Sequence, residues 1–173
     1  MERQVWLLIT PNPNFTKAYI CIMQIQWLLK KFNELTPDEL YAILQLRSEV
    51  FVVEQACVYL DMDGKDQQSY HLMGFVDSKL IAYTRLVPSG VIYEYPSIGR
   101  VVTSPSARRT GAGKQLMKKS IDTCYELFGQ RQIKIGAQLY LEKFYAELGF
   151  KKCSDVYLED GIEHIYMIKN DLS

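Results

Sequence analysis

The chain has 173 residues, with 20 Lys and Arg balancing 20 Asp and Glu. That length suits one domain able to bury its own core, and zero net charge excludes a general attraction to nucleic acid or to an anionic membrane. Cys21, Cys57, Cys124 and Cys153 form no Cys-x-x-Cys pair, and two histidines, His71 and His164, offer no zinc-ligand spacing. A reduced, cytoplasmic protein without a metal is expected.

Taken in chain order, residues 1–22 are the least regular part. Trp6-Leu7-Leu8-Ile9 is apolar but too short for a secretory core, and Pro11-Asn12-Pro13 interrupts it. Nor does any stretch approach the ~20 apolar residues of a membrane helix. From Met23, Gln24-Ile25-Gln26-Trp27-Leu28 alternates like a first strand. We therefore divide the chain into an extension, 1–22, and a functional domain, 23–173.

Thr36-Pro37-Asp38-Glu39 reads as a helix start: threonine caps, proline suits the first helical position, and Glu39 completes a capping box. Leu40, Ile43, Leu44, Arg47 and Phe51 then follow helical spacing, in a region that one helix or two could span. Asp61-Met62-Asp63-Gly64-Lys65-Asp66 is an acidic loop. Strands are predicted over 71–76 and 80–87, joined as a hairpin through Asp77-Ser78-Lys79. Pro88-Ser89-Gly90 breaks the pattern before a further strand that ends near Thr103. An amphipathic helix runs from Lys114, with Leu116, Met117, Ile121, Cys124 and Phe128 on one face. A strand over 132–137, a short helix over 139–148 ended by Gly149, and a strand pair, 150–158 with 163–168, complete the chain.

The segment from Ser97 to Lys114 carries the most chemistry. A strand ends at Pro105, turns through Arg108-Arg109-Thr110-Gly111-Ala112-Gly113, and opens directly into a helix. Such a turn points successive backbone N–H groups into one concavity, beside the unsatisfied donors and positive dipole end of the helix. That is a pyrophosphate cradle. A P-loop fits less well, because Arg108 replaces its first glycine and Gln115 its magnesium-binding hydroxyl. A dinucleotide fingerprint fails where Leu116 stands for the third glycine. The plain alternative is a glycine-bearing connection between strand and helix. Lys118 and Lys119 are read as a solvated helix face.

About thirty residues on comes Phe144-Tyr145-Ala146-Glu147-Leu148-Gly149-Phe150. The cradle, its flanking strand and helix, and this second element together resemble the GCN5-related N-acetyltransferase (GNAT) superfamily. The order β-α-β-β-β-α-β-α-β-β agrees with that resemblance. It implies the acyl-CoA N-acyltransferase fold of the α/β (α+β) class: a mixed, mostly antiparallel sheet with helices on both faces. Within the superfamily, the runs Leu46-Arg47-Ser48-Glu49-Val50-Phe51-Val52-Val53-Glu54-Gln55, Cys57-Val58-Tyr59, Asp61-Met62-Asp63, His71-Leu72, Ile98-Gly99-Arg100-Val101-Val102 and Glu159-Asp160-Gly161-Ile162-Glu163-His164-Ile165 resemble the ElaA-like subfamily. The resemblance covers essentially 23–173 and implies a small bacterial, cytoplasmic acetyltransferase. A homodimer is possible through an edge strand.

What this resemblance implies for the site can be carried over residue by residue. The strand before the cradle parts from its neighbour, and the backbone of Val101, Val102 and Thr103 pairs with the pantetheine arm of acetyl-CoA. Arg108, Arg109, Thr110, Gly111, Ala112, Gly113 and Lys114 receive the pyrophosphate. An N–H at Val102 would polarise the thioester carbonyl. Tyr145 stands where the family places a tyrosine that protonates the leaving thiolate, although a core role beside Phe144 would also suit it. Gln138 occupies the place of an asparagine that contacts the cofactor in many relatives.

Many relatives carry a glutamate base on the strand before the cradle, where this chain has Gly99 and Arg100. The candidates here are Glu54, Asp61, Asp63, Asp66, His71, Glu94, Glu159 and His164, with His71 and Glu54 foremost. Expected is transfer of acetyl to a primary amine by direct attack in a ternary complex. The acidic residues of 61–66 and Glu159-Asp160 would suit a cationic acceptor. Acyl-homoserine-lactone synthesis is the nearest rival, since Arg47, Phe51 and the spaced aspartates echo its pattern. A non-catalytic acyl-CoA-binding module is the rival of a different class.

A chain beginning at Met23 is expected to fold and bind acetyl-CoA like the full one. Thermal melts of both forms check this. A shortened protein melting more than roughly 10 °C lower would show that 1–22 is integral.

Overall fold

The computed structural model describes residues 24–129 and 132–170. The apolar run before Met23, and with it the assignment of 1–22 as an extension, lies outside the described residues. The elements in chain order are β1 (Gln26–Lys31), α1 (Pro37–Arg47), β2 (Tyr70–Val76), β3 (Lys79–Val87), β4 (Ser97–Thr103), α2 (Ala112–Phe128), β5 (Ile133–Gln138), α3 (Glu142–Ala146), β6 (Lys151–Lys152), β7 (Tyr157–Glu159) and β8 (Ile162–Lys169). They form one sheet in the order β1-β2-β3-β4-β5-β8, with β6 and β7 both paired to β8. All pairings are antiparallel except β4 with β5. The expected mixed, mostly antiparallel sheet is therefore present.

Alternation along the strands builds a core on each face. Met73, Leu80, Tyr83 and Val102 meet Ile43, Leu46 and Val50 on one side. On the other, Leu72, Ile81, Leu86 and Ile98 meet Leu116, Met117 and Ile121 of α2, together with Tyr145, Leu148 and Phe150. At α1 the capping box forms as the sequence predicts: Thr36 Oγ1 accepts from the Glu39 N–H at 3.2 Å, and Glu39 Oε2 accepts from the Thr36 N–H at 2.8 Å. The β2–β3 hairpin turns through Asp77 and Ser78, both at positive φ, the backbone that a tight two-residue turn needs.

Three elements differ from expectation. The first helix does not stay α-helical to Phe51; after Arg47 it widens into a π-helical segment, Ser48–Glu54. Val50, Val52 and Val53 crowd an α-helix, and the wider turn seats Val50 in the core beside Met73 and Tyr83. The helix predicted over 139–148 is a 3₁₀ turn, Leu139–Leu141, followed by the single α-turn of α3. The penultimate strand is split into β6 and β7, because Ser154 Oγ accepts the Tyr166 N–H at 2.8 Å in place of a backbone carbonyl.

Candidate active site

Among the described residues, β4 and β5 pair at a single position, Ser97 with Lys134, supported by Lys134 N–H to the Pro96 carbonyl at 3.0 Å. Beyond it the strands part, and a cleft of about 690 Å³ opens between them. Its walls are the 98–103 edge of β4, Gly136 to Gln138 of β5, Glu54 to Leu60, Tyr145 of α3, and Glu159 to His164 across the β7–β8 turn. Arg108 lies in the wall where β4 gives way to the cradle.

The cradle is shaped by three backbone features. Pro105–Ala107 is a 3₁₀ turn, Arg109 has φ 62°, and Gly111 caps α2 at φ 86°. A left-handed conformation at Gly111 costs nothing sterically and would strain most other residues. The first α2 amide to find an intrahelical acceptor is that of Gln115, bonded to the Gly111 carbonyl at 3.1 Å. The N–H groups of Ala112, Gly113 and Lys114 therefore emerge at the helix end without an intrahelical acceptor. A Cβ built on Gly111 would meet nothing within 4 Å, and one on Gly113 would meet only Thr103 Cγ2 at 4.0 Å. Space is open in front of these donors, and a side chain would fill it.

A β-bulge shapes the opposite wall. Tyr83 pairs with Val102 and Arg85 with Gly99, so Arg100 and Val101 together face Thr84. Arg100 sits at φ 51°, unusual for a side-chain-bearing residue. The bulge aims its guanidinium at the acidic loop: Nε donates to Asp61 Oδ1 at 2.7 Å and an Nη donates to the Asp61 carbonyl at 3.0 Å. Arg47, wholly buried, donates to Asp61 Oδ2 at 2.7 Å and Asp66 Oδ1 at 2.8 Å. Arg85, equally buried, holds both oxygens of Asp63 at 2.6 Å and reaches Asp66 Oδ1 at 3.0 Å. Three arginines thus neutralise three aspartates. Burial alone would raise the Asp66 pKa, but Arg47 and Arg85 outweigh it and hold the carboxyl below its ordinary range. Asp63 is held lower still against the same desolvation, mainly by its paired bonds to Arg85.

The structure corrects several sequence assignments. His71 is no base for the cleft: it is wholly buried and outside the cleft wall, with Nδ1 2.8 Å from Tyr83 Oη and Nε2 3.1 Å from the Asp66 carbonyl. Burial also pushes its pKa down, so the ring is a neutral brace beneath the acidic loop. Glu54 does line the cleft, yet both its oxygens are held at 2.7 Å by Arg108. That pairing lowers the carboxyl pKa and ties the end of the π-helical segment to the cradle. Asp61 and Asp66 are structural anchors, and Glu94 is outside the wall. The loop read as an acceptor site or a solubilising surface has its carboxylates tied into an ion-pair cluster, with Asp61 and Asp66 buried and Asp63 in the cleft wall.

Of the other candidates, Arg108 is in the cleft wall and Arg109 to Lys114 are outside it. Val101, Val102, Thr103 and Gln138 line the cleft, and Gln138 Nε2 donates to Gln55 Oε1 at 3.1 Å. Tyr145 lines it too, only 5% exposed, with edge contacts to Phe144 and Phe150 at 5.1 and 6.0 Å. Burial pushes its phenol pKa up, so the hydroxyl keeps its proton. It is both a core residue and a cleft residue. The sequence reading missed Arg85, Arg100 and Tyr93 as cleft residues. For Arg85 a signal was present: it falls within an apolar strand, as Arg47 falls on an apolar helical face, and a guanidinium there needs buried carboxylates.

The comparisons with known proteins agree with this geometry. Residues 33–170 match the family described as an acetyltransferase (GNAT) domain. The chain belongs to the GNAT superfamily and to its ElaA-like branch. Similar in sequence is a UPF0039 protein of Synechocystis, 45% identical over 147 residues, which are 84% of this chain and 96% of that one. The crystal structure of Escherichia coli ElaA aligns with TM-score 0.80 and 40% identity, covering 85% of this chain and all (100%) of that one. A crystal structure of an acyl-CoA N-acyltransferase from Pseudomonas aeruginosa aligns with TM-score 0.81 and 42% identity over 84% of this chain and 99% of that one. Membership of this superfamily supports acyl transfer as the general chemistry.

Two measurements test the ion-pair cluster. Arg47→Ala leaves Asp61 and Asp66 buried and underpaired, so urea unfolding should show a loss of about 3–5 kcal/mol. Because the pKa values of Asp63 and Asp66 are lowered, their stabilisation is full above the unfolded value of about 3.9 and is lost as pH falls through the native values. Asp66→Asn should therefore melt well below wild type at neutral pH. The gap should narrow as the pH drops below about 4. An unchanged gap would show that the Asp66 charge contributes nothing.

Proposed function

We propose that the protein is an acetyl-CoA-dependent N-acetyltransferase that passes acetyl to a primary amine by direct attack in a ternary complex. The observation that carries this reading is a parted β4–β5 pair whose cleft runs along β4 to Thr103 and Arg108, next to the open N-terminus of α2. Such a cleft offers strand-edge backbone to an extended arm and helix-end amides to a pyrophosphate. In this reading Val101, Val102 and Thr103 meet the pantetheine of the bound substrate. Backbone from Arg108 to Lys114 meets its phosphates, and Gln138 borders the arm from β5.

The chemistry follows from where the thioester would then lie. In the β3–β4 register, fixed by the Ser104 N–H on the Ile81 carbonyl, the Val102 N–H faces Tyr83. A cleft-side amide next to it on β4 therefore polarises the carbonyl and holds the developing oxyanion, a contribution of several kcal/mol in such sites. Tyr145, kept protonated by its buried position, supplies a proton to the departing thiolate. The chain's three described cysteines, Cys57, Cys124 and Cys153, are free thiols, which supports a reducing, cytoplasmic setting.

Gly111→Asp or Gly113→Asp would place a carboxylate where phosphates are expected. Calorimetry should show the Kd for acetyl-CoA raised at least tenfold in the folded variants, and an unchanged Kd would remove the cradle from the site. Tyr145→Phe deletes only a hydroxyl, so kcat should fall by on the order of 10²-fold while acetyl-CoA affinity stays within about twofold. Equal turnover, with chemistry rate-limiting, would take Tyr145 out of the mechanism.

A further inference from the structure

We propose that His164 is the general base that deprotonates the acceptor amine. The inference rests on the acetyl-transfer reading and supplies the group that reading lacks. An alkylammonium, with pKa about 10.4, has no lone pair for attack until a proton is removed. The carboxylates of the cleft wall are poorly suited to take it. Glu54 is held through both oxygens by Arg108, and Asp63 through both by Arg85 with Arg100 behind. Glu159 accepts from the Tyr157 hydroxyl at 3.3 Å and, like Asp160, sits exposed in the β7–β8 turn.

His164 differs in a way that fixes its chemistry. It lines the cleft from β8, half-buried, and its Nδ1 lies 2.8 Å from the backbone carbonyl of Ile162. A carbonyl oxygen can only accept, so Nδ1 carries the hydrogen and donates it. The neutral ring therefore keeps its lone pair on Nε2, and the structure has selected the tautomer that a base requires. Two residues flank His164 in the sheet. Gln138 is its register partner on β5, and Tyr157 is its partner on β7, with ring centroids 5.8 Å apart. Gln138 is also the last residue of β5, immediately before the turn that leads to Tyr145. The register partner of the base and the proposed acid thus stand at the two ends of one short connection.

The charged and titratable groups around His164 suit a cationic acceptor. Tyr157 packs on it from β7, and Glu159 and Asp160 border the same end of the cleft from the β7–β8 turn. Those two acids attract an incoming ammonium. The cations in the same wall, Arg85, Arg100 and Arg108, are already bonded to Asp63, Asp61 and Glu54.

The step balances as follows. Nε2, directly or through one water, takes a proton from the ammonium. The freed nitrogen lone pair attacks the thioester carbon, forming the C–N bond and placing charge on the carbonyl oxygen. Collapse breaks the C–S bond. The sulfur takes the Tyr145 hydroxyl proton, and the tyrosinate recovers one from the acylated nitrogen. The imidazolium then gives its proton to solvent, leaving amide, free CoA thiol and one proton.

The test uses the full chain with acetyl-CoA and a panel of amino acids, polyamines, arylalkylamines and a lysine-containing peptide, with thiol release as the readout. His164→Asn keeps an N–H donor near the Ile162 carbonyl but has no basic lone pair. His164→Ala opens room for added imidazole. Both variants should lose at least 10²-fold in kcat on the best amine, with the acetyl-CoA Kd within twofold of wild type. Millimolar imidazole should restore the alanine variant at least tenfold and leave wild type unchanged, which a purely structural histidine would not show. Wild-type turnover in His164→Asn, or no rescue of a CoA-binding His164→Ala, overturns the assignment while the transferase reading stands. A wild-type protein that releases thiol with no amine in the panel overturns both.

Discussion

The single contact between Ser97 and Lys134 governs what this sheet can do. Adjacent strands normally continue to pair because each lost backbone hydrogen bond leaves groups that need another partner. Here β4 and β5 separate after one position, and the backbone from Ile98 to Thr103 borders a cleft instead of a neighbouring strand. An extended ligand with amide groups is a natural substitute for that missing strand. Thr103, at the end of the β4 edge, lies beside Gly113 at the start of α2, where helix-end amides have no intrahelical acceptors.

Keeping such an opening from collapsing requires a rigid wall, and the buried arginines provide it. Arg47 from α1, Arg85 from β3 and Arg100 from β4 converge on the loop 61–66. Buried ion pairs contribute little net stability beyond what well-packed apolar groups would, but breaking one partner out of the set is costly. The arrangement therefore ties helix, sheet and loop into one geometry. His71 and Tyr83 complete it from beneath, each bonded to the other at 2.8 Å. Across the mouth, Arg108 and Glu54 link the π-helical segment to the cradle, and Cys57 Sγ reaches the Asp160 carbonyl at 3.5 Å. Two loops far apart in sequence are thereby brought to opposite sides of one cleft.

Much of the functional assignment rests on backbone. Splayed strand, cradle and oxyanion donor all use N–H and C=O groups, so side-chain identity matters mainly where it controls conformation. Gly111 at φ 86° is one such position, and Arg100 at φ 51° is another. The first is legible as a glycine in a motif. The second is not, since nothing in Gly99-Arg100-Val101 marks the arginine as the left-handed residue of a bulge.

The sequence by itself determined the elements and the cradle, because both depend on local rules. Alternation placed the strands, the Thr36 and Glu39 capping box placed α1, and Arg108 to Gly113 before an amphipathic helix marked the phosphate-type turn. Tyr145 was legible too, from its spacing to Gly149-Phe150. Only the tertiary structure decided which titratable side chains share the cleft. His71 and His164 look alike in sequence, yet one is sealed beneath the acidic loop and the other borders the cleft. Likewise Asp61, Asp63 and Asp66 read as a solvated or substrate-facing loop until three arginines from separate elements close on them. Those outcomes depend on partners distant in sequence, and desolvation and pairing, which set the state of a charge, exist only once the chain has packed.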